Sequence, residues 1–253
     1  MPFLEAVRLA FQTIRVQKLK SFFTLLGVMI GVMFLVAVIS IVQGMSDYVE
    51  NDFAGKLIGV NTYTFRRFAD FQPNSTDDQW REWQRRPRIY EPEIALVKAS
   101  VPPGSHTAIN SENFLYASSQ YARPRQVDAV ATEAEYFTIK RFNVTNGRAF
   151  QPQEVAIGAR VIVIGVDIAE HFFPGLDPVG RTLRIRGTPY TVIGVIEKQG
   201  SVFGFSLDRL AIAPYTTPLQ RVILPRGVFE ALLVQTPSQE MVRARIQSAL
   251  EMI

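Results

Sequence analysis

The segment KLKSFFTLLGVMIGVMFLVAVISIVQG, residues 18–44, decides how the chain is organised, because no Asp, Glu, Lys or Arg occurs between Lys20 and Asp47. A helix rises about 1.5 Å per residue and the hydrocarbon core of a bilayer is about 30 Å thick, so about 20 apolar residues are needed to cross it. The run from Phe22 to Val42 meets this requirement. We therefore expect a transmembrane helix over residues 21–44.

Two other structures have to be weighed for this segment. A removable export signal has a shorter apolar region and a cleavage site of small residues, whereas this segment is long and leads into the bulky polar stretch VQGMSDYVEND. A buried helix of a globular protein normally shows a polar face. The polar residues that interrupt this one are Ser21, Thr24, Ser40 and Gln43. Both comparisons favour retention in the membrane.

The charges on either side of the span predict its orientation. The basic residues ahead of it are Arg8, Arg15, Lys18 and Lys20. They are accompanied by one acid, Glu5, whereas three acids follow the span within residues 47–52. Positively charged flanks stay in the cytoplasm. The N-terminus is therefore expected inside, and the residues from about 45 onward outside.

The overall charge has the same origin. The chain carries 27 basic and 23 acidic residues, of which the first twenty residues hold four and one, leaving 23 and 22 in the remainder. The excess of basic residues therefore lies ahead of the span, where it sets the orientation in the membrane and contacts lipid headgroups. No nucleic-acid partner is expected. The absence of cysteine excludes a disulfide framework and a thiolate metal site.

Helical periodicity extends to both sides of the span. Residues 1–20 are expected to form an amphipathic helix lying on the cytoplasmic leaflet, because a solvated helix would leave its apolar face bare. That face consists of Leu4, Val7, Phe11 and Ile14. Residues 45–58 are expected to continue the span as a stalk helix. Its apolar positions, spaced by four, are Met45, Val49, Phe53 and Leu57.

Gly27 and Gly31 stand four residues apart within the span. Small residues at this spacing let a second membrane helix approach closely, so these two glycines predict helix packing in the membrane. Glycine is also common in membrane helices for other reasons, and the pattern alone does not decide between the two explanations.

Beyond residue 59 the pattern becomes that of a mixed α+β domain. A strand is expected in VNTYTFRRF, a long loop over residues 69–92 and a short helix over Glu93–Ser100. Further strands are expected in NFLYASSQ, RQVDAVA, ARVIVIG, RTLRIR, PYTVIGVIEKQ and ALLVQT. The fourth and fifth of these form a hairpin with Gly187-Thr188 as the turn. A terminal helix with Thr236 as its N-cap is expected to pack on the sheet.

The sequence offers no reacting group. His106 and His171 are far apart in the chain and have no acidic or histidine neighbour at metal-ligand spacing. Nucleophile elbows, phosphate-binding loops and dinucleotide-binding turns are not found in the sequence, and the missing phosphate loop excludes intrinsic ATPase activity. We expect neither an enzyme nor a cofactor or metal site.

One cluster could bind a partner. The stretch DQWREWQRRPR places Trp80 and Trp83 beside Arg85 and Arg86, and such a group can contact anionic headgroups or the acidic face of a protein. The alternative is that the arginine stems pack on the indole rings at the edge of a loop.

Several stretches together resemble the N-terminal half of MacB/FtsX-type ABC transporter permeases. They are QKLKSFFTLLGVMIGV, TEAEYFTIKRFNVTNGRAF, the long segment from VIVIGVDIAEHFFPGLDPVG to DRLAIAPYTT, and the terminal strand and helix. The resemblance implies a MacB-like periplasmic core domain over residues 59–253, with a porter-like α/β part and an inserted, mainly β part over about 112–214. It also implies the bacterial inner membrane, a dimer with itself or another permease, and a cytoplasmic ABC ATPase in trans. In the family, ATP-driven motion passes through the first helix and its stalk to the outer domain, which handles lipoproteins, peptides or antibiotics.

The resemblance also implies three further membrane helices after Ile253. We therefore expect a permease that is cut short before those helices. The alternative is a single-pass, membrane-anchored binding or sensor protein without transport activity.

Within the resembling segments, several residues are expected to be structural. Gly147 is expected in a turn with positive φ, and Gly165 and Gly194 where the backbone is approached closely. Phe173 and Leu176 are expected to fill a core below the turn PGLDPVG.

Overall fold

The fold is taken from a computed structural model, which describes residues 16–47, 61–67, 76, 79, 81, 84–202 and 205–238. The chain divides into two units, residues 1–53 and 54–253, which are described separately. The expected interfacial helix falls almost entirely outside the described residues, as do most of the stalk and the terminal helix beyond residue 238. Those three expectations therefore stay predictions.

The first unit contains helix α1, Lys18–Asp47, which has 30 residues and a length of about 45 Å. It is the helix, among the described residues, that is long and apolar enough to cross a membrane, and none of that segment is buried. The Thr24 hydroxyl donates to the Lys20 carbonyl at 2.8 Å, so this polar group is satisfied within the helix. Large apolar side chains are exposed around the helix, as Leu19 at 74% and Phe34 at 70% illustrate. A surface that is apolar all round fits lipid and not water.

The second unit is a mixed domain of helices and strands. Its strands are β1 Thr62–Arg66, β2 Ile89–Tyr90, β3 His106–Ser118, β4 Arg125–Thr132, β5 Val144–Gly147, β6 Val161–Ile164, β7 Thr182–Ile185, β8 Thr188–Ile196, β9 Ser201–Val202, β10 Phe205–Ser206, β11 Leu210–Pro214, β12 Val228–Phe229 and β13 Ala231–Gln235. Its helices are α2 Glu91–Ser100, α3 Glu135–Ile139, α4 Pro152–Ala156, α5 Val166–Phe172 and α6 Pro218–Ile223. Each strand expected from the sequence is present.

Some boundaries differ from the expectation. Helix α2 begins at Glu91, two residues early, because the Glu93 carboxylate accepts the backbone N–H of Tyr90 at 3.0 Å and caps the first turn. Strand β3 begins at His106 and not at Asn113, because residues 106–110 pair with β13. The expected loop over residues 69–92 contains β2, which pairs with β12.

One nine-stranded sheet organises the domain, with the order β1-β13-β3-β4-β11-β6-β8-β5, while β7 pairs with both β3 and β8. The double pairing of β7 closes six strands into a ring, β3-β4-β11-β6-β8-β7. Two contacts in the ring are parallel, β4 with β11 and β6 with β8, and the others are antiparallel. The ring strands lie within residues 106–214, and β13 and β1 extend the sheet outward from β3.

Three apolar clusters hold these strands. One gathers ring residues such as Ile162 and Leu183 with Phe172 of α5 and Leu219 of α6. The second lies on the opposite face of the sheet under α3 and α4 and includes Phe137. The third joins α2 to the outer strands β3 and β13. Since successive residues of a strand point to opposite faces, β3 and β4 contribute alternately to the first two clusters.

The β7–β8 hairpin is present, but its turn is Arg186-Gly187 and not Gly187-Thr188. Ile185 pairs with Thr188 across the ladder, which leaves these two residues as the connection. Their φ angles are 50° and 86°. Two consecutive positive φ angles are typical of the type I′ turn, which suits the twist of a two-residue hairpin.

The glycine expectations are confirmed except for the turn at Gly147. Gly147 has the expected positive φ, 78°, but it is the last residue of β5 and pairs with Gly194 of β8. A Cβ on Gly165 or Gly194 would meet a backbone oxygen at 2.1 or 2.4 Å. Phe173 is buried in the first cluster as expected, but Leu176 is 38% exposed, so its expected role in the core was wrong.

Candidate functional site

Helix α1 carries the first group of expected site residues. Gly27 and Gly31 are exposed, and beyond the adjoining turns of their own helix a Cβ on either would meet no atom of the described chain within 4 Å. Lys18 and Lys20 are exposed at the start of the helix. Arg8 and Arg15 lie outside the described residues. The geometry leaves room for a second helix at the two glycines, and their role in packing stays a prediction.

The Trp/Arg cluster is described only in part, because Trp80 and Trp83 lie outside the described residues. Arg85 and Arg86 are exposed. The Arg86 guanidinium donates to the carbonyl of Arg67 at 3.4 Å, and the Arg67 guanidinium donates to the carbonyl of Gln84. These bonds tie residues 84–86 to the end of β1, and contact with a partner or a headgroup stays a prediction.

A third group of side chains was not predicted from the sequence. It lies on the same face of β3 and β4 as α3, beyond the residues that α3 covers. We call Glu112, Phe114, Tyr116 and Asp128 the carboxylate–aromatic surface. The first three alternate along β3 and so share a face, and Asp128 of β4 lies directly opposite Phe114. Phe114 and Tyr116 are 67% and 61% exposed. Two neighbouring aromatic rings thus lie in solvent beside two carboxyl groups.

Further charged groups border this surface. Burial, together with the smaller effects of the nearby charges of Glu112 and Glu230, raises the pKa of Asp128 to about 7. Burial likewise lowers the pKa of Lys140, which follows α3, to about 8, although Glu112 opposes that shift. The Lys140 ammonium lies 5.8 Å from the centre of the Tyr136 ring. Both groups therefore titrate near neutral pH.

Glu230 connects the surface to the outer strands. One of its carboxylate oxygens accepts from Arg66 of β1 at 3.3 Å, and the other accepts the backbone N–H of Glu112 at 3.0 Å. Burial is the main cause that raises the pKa of Glu230. The hydrogen bond from the Glu112 N–H and the nearby Arg66 oppose that shift, and the Glu112 charge adds to it. The Glu230 carboxylate therefore accepts a backbone hydrogen bond from β3 that a neighbouring strand would otherwise accept.

Other buried acids are structural. The Asp208 carboxylate accepts from the backbone N–H groups of Gln199 and Gly200 at 2.6 and 3.0 Å. Glu133 accepts from Lys98 at 2.8 Å and from the backbone N–H of Ile109 at 3.0 Å. Among the described residues, no group of three His, Cys, Asp or Glu side chains could hold a metal ion. These acids organise loops and helix contacts.

The sequence contained a signal for the new surface. In ENFLYA, alternation places Glu112 on the same strand face as Phe114 and Tyr116. Because a charged Glu112 has to stay in contact with water, the two aromatic rings beside it are expected to be exposed as well. The sequence could not show which other charged residues lie near this face. Their proximity to Glu112 depends on contacts between residues 16 to 118 positions apart, and they are Asp128, Glu230 and Lys140.

A family model described as the MacB-like periplasmic core domain matches residues 21–249. The Macrolide export ATP-binding/permease protein MacB of Neisseria meningitidis serogroup A is 27% identical over 228 residues, which is 87% of this chain and 32% of that protein. The protein of the same name from Azoarcus sp. (strain BH72) is 29% identical over 224 residues, 86% of this chain and 32% of that protein. The chain thus spans about a third of the length of these relatives.

Two solved structures share the fold. The periplasmic region of MacB from Actinobacillus actinomycetemcomitans superposes with a TM-score of 0.58 and 17% identity, covering 81% of this chain and 87% of that one. The extracellular domain of the noncanonic ABC-type transporter YknZ from Gram-positive bacteria superposes with a TM-score of 0.54 and 19% identity, covering 73% and 88%. The predicted fold, an α+β domain behind an N-terminal apolar helix, is confirmed.

Proposed function

Because the chain belongs to the MacB-like periplasmic core domain family, as the resemblance in its sequence had indicated, we propose that it is a membrane permease component of an ABC transporter. The observation that carries the proposal is the family match, which begins at residue 21 and so takes in the apolar helix together with the folded domain. Relatives that are similar over this region are named as ATP-binding/permease proteins.

In this proposal α1 crosses the bacterial inner membrane and lipids surround it. The basic residues ahead of it hold the N-terminus in the cytoplasm, and the mixed domain lies outside, in the periplasm or at the cell surface. The proposed domain bounds are residues 1–20 on the cytoplasmic leaflet, 21–44 in the membrane, 45–58 as a stalk and 59–253 as the outer domain.

The chain's proposed role is mechanical. A separate cytoplasmic ATPase hydrolyses ATP, and its motion passes through the membrane helix and stalk to the outer domain, within a dimer of two permeases. Asp128, whose pKa burial raises to about 7, lies on an exposed aromatic face, where binding of a protein is easier to support than catalysis. We propose no enzymatic activity for this chain itself.

Topology is tested by single cysteines, because the natural chain has none and gives no background labelling. Gln17→Cys lies at the start of the span and Gln153→Cys on the surface of α4, and both positions are exposed. In cells with an opened outer membrane, an impermeant maleimide is expected to label the second variant and to leave the first unlabelled until the inner membrane is broken. The reverse pattern would exclude the proposed orientation.

Coupling is tested by photolabelling with azido-ATP after purification of the full chain from membranes of its host. We expect the label on a separate, co-purifying ATP-binding polypeptide and none on this chain. Label on the chain itself would contradict the proposed division of roles. A chain that purifies from membranes without any ATP-binding polypeptide would favour the single-pass binding or sensor protein.

A further inference from the structure

The middle of β3 lacks a neighbouring strand on one edge. On that edge β13 pairs with residues 106–110 and β7 with residues 117–118, and within the described part of the chain no strand fills the interval. The Glu112 N–H points into this interval and meets the Glu230 carboxylate, and the Tyr116 carbonyl accepts from the Arg186 N–H at 3.0 Å. Since backbone groups two residues apart point the same way, the N–H and C=O of Phe114 face the same interval.

The side chains around this interval are apolar and acidic. Phe114 and Tyr116 expose most of their surface on the adjoining face, next to the carboxyls of Glu112 and Asp128. Glu230 adds a third carboxyl and already binds Arg66. Carboxylates beside an exposed aromatic ring complement a cationic side chain, which can pair with the acid and stack on the ring.

A buried polar group is also directed at this surface. Asn110 is 7% exposed, and its amide Nδ2 donates to the Glu112 carboxylate at 3.3 Å. Its Oδ1 has no hydrogen-bond partner in the described part of the chain. Buried amide oxygens are normally satisfied, so an unpaired acceptor directly beside Glu112 indicates that the contacts at this surface are incomplete.

We propose that the carboxylate–aromatic surface and the open edge at Phe114 dock an extended segment of a partner protein that carries an arginine or lysine next to an apolar residue. The backbone of the segment bonds to the N–H and C=O of Phe114, its cation lies between Glu112 and Asp128, and its apolar side chain covers Phe114 or Tyr116. Main-chain bonds to a sheet edge supply affinity in this mode, and the side chains supply specificity. This goes beyond the proposed function and does not depend on it.

Docking of this kind is linked to pH. The charges of Glu112 of β3 and Glu230 before β13 act on the Asp128 carboxyl, and Asp128 in turn acts on Tyr136 of α3. Two cations complete the group: Arg66 of β1 acts on Glu230, and Lys140 after α3 interacts with Glu112. With a pKa of about 7, Asp128 gains its charge as the pH rises from 6 to 8, so a cation binds more tightly at the higher pH and displaces a proton.

The test titrates the full chain in nanodiscs with the peptide acetyl-Ala-Leu-Arg-Leu-Ala-amide and with its citrulline counterpart, which has the same shape and no charge. Empty nanodiscs provide the reference for lipid binding. We expect the arginine peptide to bind about tenfold more tightly than the citrulline peptide at pH 8, and about tenfold more weakly at pH 6 than at pH 8.

Variants locate the site. Phe114→Ala is expected to weaken binding of the arginine peptide about fivefold or more. Asp128→Asn is expected to remove most of the pH dependence, and the remainder belongs to Lys140, whose pKa burial lowers to about 8. Ile157→Ala, which removes a 79% exposed apolar side chain from another part of the domain, should leave binding unchanged. Equal binding of the two peptides, no binding at millimolar concentration, or full binding by Phe114→Ala would overturn the proposal. The proposal would also be overturned if the natural chain bound neither peptide and associated with itself, and if Phe114→Ala removed that self-association. That result would assign the surface to a second copy of the chain.

Discussion

Gly165 and Asp208 touch through their backbones, such that a Cβ on Gly165 would lie 2.1 Å from the Asp208 carbonyl oxygen. The φ of Gly165 is −80°, which any residue can adopt, so the requirement for glycine is entirely steric. The Gly165 N–H also donates to the Leu210 carbonyl at 2.8 Å. The end of β6 and the start of β11 are therefore locked at this point.

Gly165→Ala should lower the free energy of unfolding by about 2–3 kcal/mol, because backbone has to move to admit the methyl group. Urea denaturation of the full chain in detergent, followed by circular dichroism, measures this. Gly187→Ala is the control, since Gly187 has a positive φ but open space around its Cβ, and should cost about 1 kcal/mol. Equal losses in the two variants would show that contact with Asp208 is not the cause.

Asp128→Asn should make the protein relatively more stable as the pH rises. The pKa of this carboxyl is 3.8 in the unfolded reference and about 7 when folded, so the folded state binds the proton more tightly. Its contribution to stability is greatest below about pH 4 and is lost as the pH rises to 7. Between pH 5 and pH 8 the free energy of unfolding of the variant, relative to that of the natural chain, should increase by about 2 kcal/mol.

Thermal unfolding of the two proteins in matched buffers, converted to free energy at a common temperature, checks this result. Glu170→Gln removes an exposed carboxyl charge and serves as the control. A difference between Asp128→Asn and the natural chain that stays constant over this pH range would contradict the raised pKa.

Glu133→Gln should destabilise the domain by about 2 kcal/mol, because the half-buried Lys98 ammonium loses its charged partner and the Ile109 N–H keeps a weaker acceptor. Arg148→Ala breaks an ion pair of similar length to Glu154, but the Arg148 side chain is 54% exposed. Its loss should change stability by less than about 0.5 kcal/mol. Denaturant midpoints of the two variants compare the effects directly, and a larger effect at Arg148 would reverse the ranking.

Gly27→Leu and Gly31→Leu should each weaken association of the membrane helix severalfold if a second helix packs there, since a leucine side chain would hold the helices apart. Energy transfer between labelled full chains in bilayers measures the association. Val28→Leu, on another side of the same helix, is the control and should have little effect. Unchanged association in both glycine variants would leave the glycines without a packing role.

The sequence was sufficient for features whose signal is local. The apolar helix, the expected strands and the close approach at Gly165 follow from composition, alternation and residue type. The start of β3 at His106 could not be predicted, because residues 106–110 are ordered by pairing with β13, more than a hundred residues away. The hairpin turn was misplaced by one residue because Arg186, an unusual residue at positive φ, gives no glycine signal.

The carboxylate–aromatic surface shows the same limit for function. Alternation in β3 was readable, but the pKa of Asp128 depends on its burial and on Glu112 and Glu230, which only the folded sheet brings together. Likewise, the sequence suggested a partner site at Trp80 and Trp83 from composition, whereas a surface built across the two strands β3 and β4 carries no compositional signal.

The length of β3 has a mechanical consequence. Its 13 residues span about 40 Å, and along that length it is bonded in turn to β13, β4 and β7. A pull directed along this strand would strain many of its hydrogen bonds in shear at the same moment, and not one after another. The strand therefore resists stretching, and a displacement of its His106 end would move its Ser118 end by nearly the same distance.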